Sequence, residues 1–117
     1  MKKWIILFIL TGGFNFVYAD EYIKNNGTLS LSSDNGAVTF SINASHINSS
    51  GICNMEGVAE SVGAGSGQRN RWIYSASSSA CLAVISELKD GSVNVMTRSC
   101  ESYCDVSAIG SMDGKYK

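Results

Sequence analysis

The chain has 117 residues, 44% of them hydrophobic, and a formal net charge of −1. This length suits one domain. Beyond residue 19, seven Lys and Arg face ten Asp and Glu, so that part carries about three net negative charges. Nucleic-acid phosphates are neutralised by a basic surface, whereas the basic residues here are scattered, with no more than two close together, as at Arg69 and Arg71. The composition therefore argues against nucleic-acid binding and leaves a protein partner as the stronger expectation.

A secretory signal peptide is predicted at residues 1–19. Lys2 and Lys3 precede an uncharged stretch of sixteen residues, 4–19, which ends in the small-x-small cleavage pattern Val17-Tyr18-Ala19. A membrane-spanning helix needs about 20 apolar residues, so a retained anchor is the weaker alternative. We expect cleavage before Asp20, leaving a single β domain, 20–117, in the periplasm or outside a bacterial cell without a membrane anchor.

The four cysteines are Cys53, Cys81, Cys100 and Cys104. Cysteines of an exported chain usually pair in its oxidising compartment, and four of them permit three pairings. Cys100 and Cys104 are four residues apart, near the limit of disulfide reach. We take these two as one bridge and Cys53 with Cys81 as the other.

A zinc site is the alternative for these cysteines, because Cys100-x-x-x-Cys104 has an acceptable ligand spacing. Cys53 and Cys81 stand singly, however, and exposure to oxidant removes free thiols. We therefore predict two disulfides, no metal site and no cofactor.

Alternating apolar and polar residues predict an all-β fold. Thr28–Ser32 and Ala37–Asn43 flank an Asn35-Gly36 turn, which is typical of a hairpin. The inward face of this hairpin is expected to carry Leu29, Leu31, Val38, Phe40 and Ile42. Further strands are predicted at 52–60, 71–75, 80–86 and 92–97, the 80–86 strand being buried on both faces or nearly so. About six short strands and the absence of proline favour a small antiparallel barrel or curled sandwich stapled by two disulfides.

Two segments break this alternation. Residues 61–70 are rich in Gly and Ser, which predicts an exposed, mobile loop without regular structure. Residues 100–109 are expected to form one helical turn or a loop closed by the short disulfide. Residues 113–117 follow as a terminal tail.

The residues offer no catalytic constellation, so we predict that the protein is not an enzyme. His46 is the one histidine, and no nucleophile motif accompanies it. The Glu residues show no spacing that marks a glycosidase pair. Gly63-x-Gly65-x-Gly67 neither follows a buried parallel strand nor opens a helix, which argues against a phosphate-binding loop.

Recognition by a displayed loop remains, and residues 61–72 are the best candidate. Guanidinium groups can bind a carboxylate bidentately, and a flanking Trp can anchor an interface or, alternatively, belong to the core. The predicted partner-binding residues are Ser66, Gly67, Gln68, Arg69, Arg71 and Trp72. The tail, 113–117, is a second candidate.

The layout resembles the small periplasmic inhibitors of c-type lysozyme: a signal peptide, about a hundred following residues, a β meander, paired cysteines and an inserted Ser-Gly loop. The resemblance implies an eight-stranded β barrel that inserts a Ser-Gly-x-x-Tyr motif into the lysozyme cleft. Ser66 and Gly67 match this motif, whereas Asn70 stands at the Tyr position and the family's second, lysine-bearing motif has no match here. The finish, residues 100–104 and 113–116, is similar to that of other small exported bacterial domains, which supports the architecture more than the activity.

From these features we predict a periplasmic protein that occludes a cell-wall hydrolase, either a host lysozyme or a delivered lysozyme- or amidase-type effector for which this chain is the immunity partner. Ser66 and Arg69 are expected to contact the catalytic carboxylates. The acidic net charge suits a basic lysozyme, because complementary charge speeds encounter. The alternatives are a secreted structural, surface-assembly or adhesion accessory domain and, last, a small secreted enzyme or toxin dependent on His46.

Overall fold

A computed structural model describes residues 19–48 and 50–117. The predicted signal peptide, apart from Ala19, lies outside the described residues. The described strands are β1 (Ala19–Lys24), β2 (Gly27–Asp34), β3 (Ala37–Ala44), β4 (Cys53–Val62), β5 (Gln68–Ser75), β6 (Leu82–Leu88), β7 (Val93–Arg98) and β8 (Gly114–Tyr116). Single-turn 3-10 helices cover Glu101–Tyr103 and Val106–Ala108. No helix in these ranges is long and apolar enough to cross a membrane.

The strands form one antiparallel sheet in chain order that curls into a nearly closed barrel. Each strand pairs with the next, and the Lys117 amide, just past β8, donates to the Ile23 carbonyl of β1 at 2.8 Å. Successive strands run in opposite directions, so connections gather at two ends. The turn and loops at 25–26, 45–52, 76–81 and 99–113 lie at one end. Those at 35–36, 63–67 and 89–92 lie at the other. The predicted all-β, antiparallel, disulfide-stapled fold is confirmed.

The first and last strands were missing from the sequence interpretation. β1 is rich in charge, and it forms because Tyr22 pairs with Leu29 in a full-length ladder with β2. β8 is only three residues long, yet it places Tyr116 in the core opposite Val93, fully buried. The Tyr116 hydroxyl donates to the Met112 carbonyl at 2.7 Å. The terminal segment is therefore a structural strand and not a free tail.

The barrel interior is filled by side chains from the inward faces of the strands. The β2–β3 hairpin contributes the five predicted core residues, and all of them are buried: Leu29, Leu31, Val38, Phe40 and Ile42. Across the barrel, β6 adds Ala83 and Ile85, while Leu82 and Val84 are only partly buried. The prediction that this strand is buried on both faces was therefore only partly right.

The gap between β4 and β5 is filled by an aromatic ring. These strands pair only where Glu60–Val62 of β4 meet Arg71–Ile73 of β5, and they separate toward the disulfide end of the barrel. The Tyr74 ring fills the opening: it packs edge-on to Phe40, with ring centroids 5.3 Å apart, and lies against the backbone of Gly57. A glycine is needed there because a Cβ at position 57 would lie 2.6 Å from Tyr74 Cε1.

All four cysteines form disulfides, but the predicted pairing was wrong. Cys53 bonds Cys104, and Cys81 bonds Cys100. The 3-10 turn between Cys100 and Cys104 directs them to different strands. The β6–β7 ladder, with Leu82 opposite Arg98, brings Cys81 beside Cys100, while Cys104 forms an isolated bridge with Cys53 on β4.

Residues 100–113 cover the disulfide end of the barrel. The Asp105 carboxylate accepts from the Ile52 amide at 2.9 Å, and the Asp105 amide donates to the Ile52 carbonyl at 3.0 Å. Asp113 accepts from both the amide and the hydroxyl of Thr97, at 3.0 and 2.5 Å. Ala108 and Met112 of this segment are buried. The opposite end of the barrel presents the shorter turns, among them the predicted recognition loop.

Candidate partner-binding site

The β4–β5 hairpin carries the predicted recognition residues, at the end of the barrel opposite both disulfides. Its connection, residues 63–67, is exposed throughout, and we call this segment the hairpin tip. The strands extend further than predicted: β4 continues to Val62 and β5 begins at Gln68. The expectation that 61–70 lacks regular structure was therefore wrong for all but the tip.

Hydrogen bonds fix the hairpin tip to the sheet. The Gly65 amide donates to Gln68 Oε1 at 2.7 Å, and the Gln68 amide donates back to the Gly65 carbonyl at 3.2 Å. The Gly67 carbonyl accepts from the Lys89 amide of the neighbouring β6–β7 turn at 3.2 Å. Gly67 has a φ of +78°, a conformation that glycine adopts without strain. Because these bonds tie the tip to β5 and to the β6–β7 turn, it is an anchored loop.

Arg69 links the two turns. Its Nη2 donates to the Lys89 carbonyl at 2.8 Å, and its Nη1 lies 3.9 Å from Glu87 Oε2. Glu87 is held in turn by Asn70, whose Nδ2 donates to Glu87 Oε1 at 2.7 Å. The Arg69 side chain remains 54% exposed. It is therefore positioned in advance and keeps donor groups available to a partner.

Arg71 and Trp72 lie deeper than the tip. Trp72 pairs with Ile85 and is only 9% exposed, so it belongs to the core and is not available as an interface anchor. Arg71 is partly buried between Val62 and Ser86 of the flanking strands. Its Nε is buried and has no hydrogen-bond partner among the described residues. The accessible part of the predicted site therefore consists of Ser66, Gly67, Arg69 and part of Gln68 and Arg71.

The β6–β7 turn completes this surface and was missed in the sequence interpretation. Asp90 accepts from the amide and hydroxyl of Ser92, at 2.9 and 2.5 Å, and lies 3.2 Å from Lys115 Nζ. The bonds from Ser92 and then Lys115 hold the pKa of Asp90 well below its usual range. The turn is therefore rigid where it meets the tip through Lys89. Asp90-Gly91 is a turn signal between the predicted strands 80–86 and 92–97, but it does not show the contact of this turn with residues 63–67.

The single histidine and the four cysteines lie away from the hairpin tip. The His46 Nε2–H donates to the Ile109 carbonyl at 2.9 Å, at the disulfide end of the barrel. The cysteines are all in disulfides. Within 19–48 and 50–117, no three His, Cys, Asp or Glu side chains converge as metal ligands.

Together these features define a small, disulfide-stapled β barrel with a filled interior and an anchored polar hairpin displayed at one end. No protein-family model matches the chain, and searches of curated proteins and of solved structures find no similar protein.

Proposed function

We propose that this protein is an exported inhibitor or immunity protein that binds a cell-wall hydrolase of the lysozyme or amidase type and blocks its active-site cleft with the hairpin tip. The observation that carries the proposal is the anchored tip. A loop already fixed in its binding conformation loses little conformational entropy on insertion into a cleft. The bonds from Gln68 and Lys89 supply that rigidity.

The composition of the tip suits a cleft lined by carboxylates. Ser66 offers a hydroxyl at the exposed end, and the glycines beside it keep the tip narrow. Arg69 presents a guanidinium whose orientation is set by Lys89 and Glu87. A guanidinium bound to a carboxylate forms a strong, directional contact. Arg69 and Ser66 thus reach the catalytic carboxylates while the barrel behind them excludes substrate.

The resemblance in layout also supports an inhibitor. An eight-stranded barrel is what the resemblance to the inhibitors of c-type lysozyme implies, and Ser66-Gly67 lie at the tip where that family carries its inhibitory motif. Asn70, at the Tyr position of the motif, donates instead to Glu87. The contact that the Tyr makes in the family therefore has no direct equivalent here.

Inhibition assays test the proposal. Protein produced from the full chain is titrated against c-type lysozyme, other muramidases and amidases in a cell-wall turbidity assay, after capture of hydrolases on the immobilised protein. The expected result is a one-to-one complex whose lytic activity falls and whose binding competes with a soluble cell-wall oligosaccharide. If every hydrolase keeps its full activity at a micromolar excess of the protein, the proposal is wrong.

A further inference from the structure

The barrel closes at a seam between β1 and β8 that one backbone hydrogen bond holds within the described residues. The Lys117 amide donates to the Ile23 carbonyl at 2.8 Å. β1 pairs along its whole length with β2 on its other side, whereas β8 is three residues long. Between Ile23 and the hairpin-tip end, no strand of the described ranges pairs with the outer edge of β1.

The backbone groups at this edge can be assigned from the antiparallel ladder. In such a ladder the N–H and C=O of one residue point to the same side, and the side alternates along the strand. The Ile23 carbonyl points toward β8, so both groups of Glu21 point that way too. In the described part of the chain these Glu21 groups have no hydrogen-bond partner. They form a short edge able to accept another strand.

The seam adjoins a depression of about 350 Å³, lined by Lys117 and by Asp90, Gly91 and Ser92 of the β6–β7 turn. Lys117 is also the residue that makes the seam bond. A strand that continues the direction of β8 past Lys117 would therefore lie against Glu21 with room at its far side.

The charge of β1 selects the occupant. Asp20 and Glu21 are both exposed. Pairing of two copies about a two-fold axis at this edge would set either Asp20 or Glu21 directly opposite its own copy. Like charges directly opposite each other destabilise a strand pair. A second copy of the chain is therefore disfavoured, and a strand with basic side chains is favoured.

We propose that the outer edge of β1 binds an extended segment of a different protein by antiparallel strand addition. The segment places Lys or Arg opposite Asp20 and Glu21. It places an apolar side chain opposite Tyr22, which is half-buried on the inward face. This edge lies at the same end of the barrel as the hairpin tip, with the β6–β7 turn between them.

Peptide binding followed by NMR tests the proposal. The probes are the capped peptide Val-Lys-Lys-Val-Lys-Lys-Val, its Glu-for-Lys counterpart, and a version of the Lys peptide N-methylated at alternate amides. The Lys peptide is expected to shift the Glu21 and Ile23 amide signals and to slow hydrogen exchange at Glu21. The N-methylated peptide is expected to bind at least about tenfold more weakly, because it lacks the donors of the new ladder.

Variants of one position separate backbone pairing from simple charge attraction. Glu21→Pro removes the outward N–H while sparing the ladder to β2, as an edge strand tolerates. It should weaken Lys-peptide binding more than Glu21→Gln, which loses the same charge and keeps the N–H. Glu21→Lys should transfer the preference to the Glu peptide.

Three results would overturn the strand-addition proposal. The first is equal binding of the N-methylated and parent peptides, which tests the backbone contact even if Glu21→Pro disturbs the barrel. The second is a set of shifted amide signals that maps away from β1, for example to Glu56 on β4. The third is self-association of the protein that is lost on the Glu21→Pro change, which would make the occupant a second copy.

Discussion

At the scale of single residues, Gly57 is under a tight steric constraint. It lies in the middle of β4, opposite Phe40, and the Tyr74 ring packs directly on its backbone. The sequence pattern marks position 57 only as a glycine in a strand, a feature that often signals close approach of another group. It does not show which group approaches, since Tyr74 is seventeen positions further along the chain.

Gly57→Ala is predicted to destabilise the protein by about 1–3 kcal/mol, as forced overpacking of a core typically does. The new Cβ would lie 2.6 Å from Tyr74 Cε1, so the ring has to move away from Phe40. Urea unfolding followed by fluorescence measures the change. Gly63→Ala is the matched control, because a Cβ there meets nothing within 4 Å. Equal stability of the two variants would contradict the packing described for Tyr74.

Asp90 makes the stability of the fold depend on pH in the acidic range. Its pKa lies below the ordinary value of 3.8, chiefly through the bonds from Ser92. At a pH between the lowered pKa and 3.8, Asp90 therefore binds fewer protons in the folded state than in the unfolded state. The contribution of Asp90 to the free energy of unfolding is present above about pH 4 and is lost as the pH falls through the lowered, folded-state pKa.

We predict that Asp90→Asn flattens this acid dependence. Urea midpoints of the parent protein should fall between pH 5 and pH 2.5 more steeply than those of the variant. The variant should already unfold at a lower urea concentration than the parent at pH 7, because it loses the charge that bonds Ser92 and Lys115. Parallel pH profiles for the two proteins would show that Asp90 contributes nothing specific to the folded state.

At the scale of elements, local signals and long-range pairing differ in how far they could be predicted. The β2–β3 hairpin follows from its Asn35-Gly36 turn and alternation, and Leu31 lies opposite Phe40 on the inward face as that turn requires. β1 and β8 could not be predicted in the same way. Their composition is polar, and they are strands because the sheet supplies partners for them.

The disulfide pairing was partly readable from the turns. The β6–β7 hairpin sets Leu82 opposite Arg98, and extending that register places Cys81 opposite Ser99, next to Cys100. Spacing alone pointed to the wrong partner, because the 3-10 turn after Cys100 carries Cys104 across to Cys53 at the start of β4. The bridge from Cys53 to Cys104 depends on how residues 100–113 cover the barrel end, which no local pattern specifies.

Removing either disulfide is predicted to destabilise the fold, and by similar amounts. The bridges span separations of 51 and 19 residues, for which loop-closure entropy gives about 4 and about 3 kcal/mol. Double Cys→Ser variants of each pair are compared by urea unfolding. Proteolytic fragments of the oxidised parent should contain Cys53 joined to Cys104 and Cys81 joined to Cys100. Recovery of a fragment with Cys53 joined to Cys81 would contradict the structure.

At the scale of the whole molecule, the two ends of the barrel differ in character. The disulfide end is covered by residues 100–113 and fastened by bonds such as those between Ile52 and Asp105. The other end displays the hairpin tip, anchored by Gln68 and Lys89. The sequence located this tip correctly as an exposed loop. It could not show that the tip is anchored, because Lys89 lies in a different hairpin, nor that Trp72 is buried, because both environments suit an aromatic residue.

The most direct test of the central proposal compares one acidic substitution at each end of the barrel. Ser66→Glu alters the exposed tip, and Ser78→Glu alters an exposed loop at the disulfide end. Inhibition of the captured cell-wall hydrolase is titrated with both variants and the parent, after thermal unfolding shows that all three are folded. Because a carboxylate at the tip repels the carboxylates of the cleft, we predict that Ser66→Glu raises the concentration needed for half-inhibition by at least about tenfold, a loss of about 1.4 kcal/mol, while Ser78→Glu matches the parent. Equal inhibition by the two variants, or loss with Ser78→Glu alone, would show that the hairpin tip is not the inhibitory surface.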